Sequence, residues 1–324
     1  MLSPAVLGIG EMLWDRLADQ PGQPLEAVES WTDYPGGAPA NVVCALAKLG
    51  TAAGFIGCIG RDPLGEQLVQ VLQDVGVDQT GLQRHRTAPT RVVYVTRDQQ
   101  GNPTFAGFAS NSPDGFADAQ LQGTRLPMKQ LQQAQFIVLG TLSLAYPQSR
   151  EAIAQAILSA KQYGTRVFID INRRDRFWPE GTTSLPIIRD LLQFADILKL
   201  TTDEAQWLFQ TTQPATIATQ LKKLLGVFVT DGDQGCAYWM MGHRGNLPAF
   251  AVPVVDTTGA GDSFTAGILH QFCQQGLQQF SQEQTVIQLV RYASAVAALT
   301  VTQPGAIAAQ PTGAAVEAFL AERQ

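Results

Sequence analysis

The sequence is short of ionic side chains. Only 15% of its 324 residues are charged, against about 25% in an average soluble protein. Its 22 lysines and arginines face 28 acids, which leaves a formal net charge of −6. A nucleic acid or an acidic membrane surface is held by bulk positive charge, and this chain has none in surplus. Long apolar runs are missing, and none approaches the roughly 18–20 residues that span a bilayer. Residues 1–15 lack a basic start and Glu11 interrupts their apolar run, so no secretory signal is read there. Four cysteines, Cys44, Cys58, Cys236 and Cys273, lie far apart with no CxxC pair. They are expected as reduced, mostly buried thiols. The histidines His85, His243 and His270 are equally isolated, which argues against a histidine metal centre. No lysine follows a glycine, so there is no Walker A loop, and no HExxH is present. A soluble, cytoplasmic chain is expected.

What the sequence does have is a regular beat. Apolar runs end at Leu139, Ile169, Leu200 and Val229, spaced by 30, 31 and 29 residues. About 30 residues make one strand-plus-helix unit. Residues 149–161 read as a helix capped by Ser149. Runs that are apolar throughout suit strands covered on both faces, so a parallel sheet with helices on both sides is predicted. The runs lead into Gly140-Thr141, Asp170-Ile171-Asn172, Thr201-Thr202-Asp203-Glu204 and Thr230-Asp231-Gly232. Open α/β sheets bind ligands at this carboxyl edge, although any one such cluster could be a helix cap. Earlier in the chain, 5–9 and 53–59 read as strands and 39–49 as an Ala-rich helix. Residues 11–35 and 87–112 alternate apolar and polar, with a turn at 98–101, as antiparallel material outside the main sheet does. The length suits one large α/β domain over 1–324 with this small β lid inserted.

Gly8-Ile9-Gly10 follows a strand, but Leu13 stands at the third glycine position of a dinucleotide loop, so that reading fails. Two other glycine clusters carry more. Asp256-Thr257-Thr258-Gly259-Ala260-Gly261-Asp262 follows an apolar run at 252–255, read as a strand, and opens a helix. Bare backbone N–H groups at a helix N-terminus form an anion site without a lysine. An aspartate beside a bound phosphate is repelled unless it has a task, and the natural task for Asp262 is general base. Gly36-Gly37-Ala38-Pro39-Ala40-Asn41 opens another helix, with Pro39 in its first turn. Gly57-Cys58-Ile59-Gly60-Arg61-Asp62-Pro63-Leu64-Gly65 follows the strand at 53–59. Asn and Asp suit the hydroxyls of a polyol, and turn formation is the competing explanation.

These pieces, in this order, resemble the PfkB (ribokinase-like) family of carbohydrate kinases. The resemblance runs from about residue 5 to 315. It implies a three-layer αβα fold with a mostly parallel central sheet and a β-sheet lid that closes over the sugar. It also implies ATP and Mg²⁺, a K⁺ ion in several members, and in many a homodimer built through the lid. By resemblance, Asp262 is the base, and the N–H groups of Gly259, Ala260 and Gly261 form the anion hole. Asp15, Gly36, Gly37 and Asn41 hold the sugar. Thr230, Gly232 and Gly235 match the nucleotide loop, and Gly305 borders the adenine. Asp256 and Thr258 match the K⁺ site. Members often carry Asn-x-x-Glu after the fourth strand, where this chain has Thr201 on the nucleotide side and Glu204, which serves Mg²⁺ indirectly. Residues 10–15, 170–179 and 299–307 are most similar to fructokinases, with Arg174 near the sugar. The expected reaction is phosphorylation of the 6-hydroxyl of fructose. A 2-keto-3-deoxygluconate kinase is the alternative, with Arg91, Arg97, Arg173 and Arg174 as cations for its carboxylate. A non-catalytic sugar-binding homologue is the second.

Overall fold

The computed structural model describes residues 3–99, 103–109, 112–178 and 183–323. Gln100 and Gly101 of the predicted turn, and Pro179, lie outside them. The chain runs through β1 (Val6–Ile9), β2 (Leu13–Ala18), β3 (Trp31–Gly36), α1 (Ala38–Leu49), β4 (Ala53–Gly60), α2 (Pro63–Asp74), β5 (Asp78–His85), β6 (Val92–Arg97) and β7 (Pro103–Phe108). Then follow α3 (Met128–Gln133), β8 (Phe136–Leu139), α4 (Pro147–Gln162), β9 (Arg166–Asp170), α5 (Ser184–Leu192), β10 (Ile197–Thr201), α6 (Thr202–Phe209) and α7 (Pro214–Leu221). The last elements are β11 (Gly226–Thr230), β12 (Cys236–Met240), β13 (His243–Leu247), α8 (Ala260–Gln275), α9 (Glu283–Thr300) and α10 (Gly313–Ala321).

Nine strands form one sheet in the order β13-β12-β11-β10-β9-β8-β1-β4-β5. All its pairings are parallel except those of β12 and β13, which fold back as an antiparallel edge. The period of two puts alternate side chains on opposite faces. Phe136 and Val138 join one core, which also holds Phe264, Phe272 and Val296 of α8 and α9. Ile137 and Leu139 join the other, with Ile153 and Ile157 of α4. Covering on both faces explains why these strands read as unbroken apolar runs.

The second sheet, in the order β3-β2-β6-β7, is the lid. Its two hairpins are antiparallel, but β2 and β6 meet side by side in parallel, so the segment is not antiparallel throughout. The lid is tied down where it meets the main sheet. Asp62 caps α2 by accepting from Gly65 N at 2.7 Å, and it also accepts from the backbone N (2.7 Å) and Oγ1 (2.8 Å) of Thr90, just before β6. Trp14 of β2 donates its indole N–H to the carbonyl of Leu64 at 3.1 Å. The glycine-rich signature at 57–65 is therefore an anchor for the lid.

Two sequence expectations change. Residues 252–255 do not form a strand. The run pairs with no strand among the described residues. It is pinned instead to the end of α9, where the Val301 carbonyl accepts from Val255 N at 2.8 Å. Ser149 does not cap α4, which starts at Pro147, a residue suited to the first turn. Its hydroxyl is buried and donates to the carbonyl of Asp118 at 2.7 Å.

Candidate functional site

A cavity of about 770 Å³ opens at the carboxyl edge of the large sheet, under the lid. It is lined by Asp15, Gly37 and Asn41 from the lid and α1, by Asn172, Arg174, Lys199, Thr201 and Glu204 from the strand ends, and by residues 255–259, Gly261, Asp262 and Gly305. The volume suits a small-molecule site.

Asp262 lies in the first turn of α8, where the helix dipole favours its negative charge. It is buried, and Asn41 donates its side-chain N–H to Oδ2 at 2.8 Å. Asn41 thus aims the carboxylate as well as facing the cavity, and its own Oδ1 is buried without a partner among the described residues. Burial raises the Asp262 pKa; Asn41, Lys199 and Arg174 oppose that shift. The anion loop differs from expectation in one donor. The Ala260 N–H is engaged by the carbonyl of Thr257 at 3.3 Å, and Ala260 does not line the cavity. The backbone N–H groups of Gly259, Gly261 and Asp262 have no hydrogen-bond partner among the described residues and stay available to an anion.

Lys199 was not picked out by sequence, although it is the one charge in the apolar run of β10. The period of two turns it to the α8 face, opposite Leu198 and Leu200. In register with it on β9 is Asp170, and Lys199 Nζ donates to both its oxygens, at 3.2 and 3.0 Å. Thr265 Oγ1 donates to Asp170 Oδ2 at 3.1 Å. A Cβ at Gly261 would stand 2.8 Å from Lys199 Nζ, so the buried ammonium sits directly under the anion loop. Asn172 also lines the cavity, with a φ of 39° that asparagine tolerates better than most residues.

On the other wall, Gly37 has a φ of 104° and packs against the Glu11 backbone, so any side chain there would be strained and would collide. Gly36 does not line the cavity. It leaves room for the Asp15 carboxylate, which a Cβ would overlap. The buried Glu11 carboxylate accepts from Ala38 N and from Ser143 Oγ, both at 3.1 Å, and so fixes the turn into α1. Burial pushes Glu11 to about 7. Asp15 is likewise pushed to about 7 by burial, against the attraction of Arg174 and with help from Asp262 and Asp256. A carboxyl of ordinary pKa 3.8 unfolded and about 7 folded contributes stability below its unfolded pKa, which is lost as pH rises through 7. Asp15→Asn is therefore expected to stabilise the sugar-free protein at about pH 8 and to have little effect near pH 4. Urea midpoints at the two pH values check this.

Thr201 and Glu204 form a reciprocal cap on α6. Thr201 Oγ1 accepts from Glu204 N at 3.3 Å, and Glu204 Oε2 accepts from Thr201 N at 2.8 Å. Glu204 Oε1 accepts from Arg173 N at 2.6 Å. Threonine caps a helix nearly as well as asparagine, which accounts for Thr201 in the family's asparagine position. Thr201→Ala is expected to cost about 1 kcal/mol, read as a lower urea midpoint.

Asp256 closes the far end. Its Oδ1 accepts from Thr258 N (2.9 Å) and Thr258 Oγ1 (2.7 Å), and Oδ2 from Gly305 N (2.8 Å). A Cβ at Gly305 would meet the Tyr34 ring of β3 at 2.9 Å, so the lid touches this segment. Thr230, Gly232 and Gly235 do not line the cavity. Thr230 ends β11 beside Thr201, and Gly235 is packed against the backbone of residues 247–249, which leaves no room for a side chain.

Of the four arginines considered for a carboxylate substrate, two face elsewhere. Arg91 is fully buried, paired with Asp118 at 2.6 and 2.9 Å and enclosed by the rings of Phe108, Phe116, Tyr146 and Phe177. Arg173 lies over the Trp207 ring at 3.9 Å and pairs with Asp175. Arg97 and Arg174 both line the cavity; Arg97 donates to the carbonyls of Ala18 and Asp19, and Arg174 donates one N–H to the carbonyl of Arg173 at 3.1 Å.

A buried carboxylate at a helix start, a glycine loop with free N–H groups and a lid over a polar cavity together fit a phosphoryl-transfer site. The sequence pattern of the pfkB family carbohydrate kinases matches residues 4–313, and the chain belongs to that family. It is 34% identical over 315 residues to the probable fructokinase-5 of Arabidopsis thaliana, covering 96% of each chain. The fold matches the fructokinase of Xylella fastidiosa with bound ATP at a TM-score of 0.89, with 29% identity and 99% of both chains covered. It also matches a double mutant of the Vibrio cholerae O395 fructokinase with fructose, ADP and potassium bound, at a TM-score of 0.83, with 28% identity and 98% of both chains covered. Among the described residues no helix is long and apolar enough to cross a membrane.

Proposed function

We propose that the protein transfers the γ-phosphoryl group of ATP to the 6-hydroxyl of fructose, giving fructose 6-phosphate and ADP. The observation that carries this is Asp262, aimed by Asn41 into the same cavity as the free N–H groups of the anion loop. Asp15, Gly37, Asn41 and Arg174 hold the sugar, with Gly36 making room for Asp15. Asp262 accepts the proton of the attacking hydroxyl, while the N–H groups of Gly259, Gly261 and Asp262 take up charge on the transferred phosphoryl. Lid contact with Gly305 excludes water, the competing acceptor.

No group of three or more His, Cys, Asp or Glu side chains among the described residues forms a metal cage. That fits Mg²⁺ carried in by the nucleotide, since this ion keeps several waters and needs few protein ligands. Both Glu204 oxygens already accept backbone N–H groups, so Glu204 would serve the ion through water. When bound, Mg²⁺ would supply neutralisation of the phosphate charge. Asp256 and Thr258 would hold K⁺, as the potassium in the Vibrio cholerae neighbour suggests. A substrate carboxylate would lie in a cavity that already holds the carboxylates of Asp15 and Asp262, which favours fructose over 2-keto-3-deoxygluconate. Phosphorus NMR of the protein with fructose, ATP and Mg²⁺ tests the reaction. A fructose 6-phosphate signal growing with ADP is expected, and its absence while fructose still binds would establish a non-catalytic sugar-binding homologue.

A further inference from the structure

A second cavity, of about 630 Å³, lies at the far edge of the large sheet and shares no lining residue with the catalytic one. Its walls are the end of β5, the turn after β4, and the segment from Gln120 to Arg125. Arg61, Arg84, Arg86 and Arg125 all line it, and no Asp or Glu does. Four of the chain's 22 basic residues thus meet in one concavity of a protein whose net charge is −6. A general excess of positive charge cannot account for that.

The four guanidinium groups differ in state. Arg84 is held, bidentate on Glu66 at 3.2 and 2.5 Å and bonded to the Gly60 carbonyl at 3.2 Å. Arg61, Arg86 and Arg125 make no ion pair and no side-chain hydrogen bond among the described residues. His85 adds a directed donor. Its Nδ1 accepts from the backbone N–H of Thr87 (3.3 Å) and Ala88 (2.8 Å), which places the proton of the neutral ring on Nε2. The walls are braced: Gln83 both donates to the Gln122 carbonyl and accepts from its N–H, each at 2.9 Å. At the floor, burial pushes the Cys58 thiol to about 12, so it stays neutral and does not compete for the arginines.

We infer that this cavity is a second anion site, built for a phosphate group on a small molecule. Guanidinium forks match phosphate oxygens two at a time, and three forks without partners leave room for one such ligand. The volume is that of a small-ligand pocket, which favours a compact phosphate over an acidic protein surface. The site also lies on residues 84–87, the stretch that carries the chain from β5 towards the Asp62–Thr90 anchor of the lid.

The test is calorimetric titration of the whole protein in the presence of a saturating, non-hydrolysable ATP analogue, which occupies the catalytic anion loop. One arm uses inorganic phosphate and the other glucose 6-phosphate. Binding of one equivalent is expected in at least one arm, and a preference for the ester would identify a sugar phosphate as the ligand. The variant Arg86→Gln/Arg125→Gln removes two exposed, unpaired groups, and it is expected to weaken binding by at least about tenfold with kcat/KM unchanged. No heat in either arm up to about 10 mM, weaker than any useful affinity, would overturn the inference. Equal binding by the variant would do so as well.

Discussion

Asp262→Asn is expected to lower kcat by about 10²–10⁴-fold, the range general base catalysis supplies. The amide keeps the shape of the carboxylate but cannot take up a proton at neutral pH. Its neighbour Asn41 can rotate its own amide to keep the 2.8 Å contact, so the local packing survives. Fructose is held by other groups, and its dissociation constant should change by less than about threefold, since no hydrogen bond to the sugar is removed. A fall in kcat without loss of binding is the pattern of an interaction made in the transition state. The pH profile gives a second reading. Burial raises the Asp262 pKa above the ordinary aspartate value of 3.8, and only the ionised form can act as base. Activity should therefore fall as pH drops through that raised pKa, and the acid limb should be missing from the residual activity of the variant. Steady-state rates and fructose calorimetry check the two halves. A variant that retains most of its kcat would remove Asp262 from the chemistry.

Lys199→Met should have the largest effect on stability. The ammonium and the Asp170 carboxylate are both almost inaccessible to water and face each other at 3.0–3.2 Å. Removing one member leaves a buried charge without a partner, which typically costs about 3–5 kcal/mol. Thr265 alone cannot replace the ammonium, because a hydroxyl carries no compensating charge. Adding Asp170→Asn to Lys199→Met removes the stranded charge and should recover much of the loss. Urea unfolding of the two single variants and the double variant measures the coupling. Additive effects would show that the two residues do not form a pair. Because Lys199 lies under Gly261, the single variant should also weaken nucleotide binding by the anion loop.

The parts of the molecule with a short-range signature were readable from the sequence. The 30-residue beat of Leu139, Ile169, Leu200 and Val229 marks four neighbouring strands, because covering on both faces makes each strand apolar throughout. The glycines before Asp262 mark a helix start, because a bare N-terminus needs them locally. What depends on distant partners was hidden. Asn41 and Asp262 are 221 positions apart, and nothing in either motif announces that one orients the other. Arg91 looked available for a substrate and is instead paired with Asp118 inside a shell of aromatic rings. The apolar run at 252–255 looked like a strand, but its backbone is held by the end of α9 instead of a neighbouring strand, a distant partner that the run itself does not announce. Lys199 was the signal that could have been followed. A lone lysine in a strand buried on both faces must have an acid nearby, and the only open question was which one.

The proposed function stands on the substrate. The most direct measurement is kcat/KM for fructose and for 2-keto-3-deoxygluconate, at saturating ATP and Mg²⁺, by ADP release. The cavity predicts fructose ahead by at least about tenfold, because a substrate carboxylate would lie beside those of Asp15 and Asp262, while Lys199 is already paired with Asp170 and Arg97 donates to the Ala18 and Asp19 carbonyls. If 2-keto-3-deoxygluconate is instead the better substrate, the assignment of the sugar is wrong, although Asp262 and the anion loop would keep their roles.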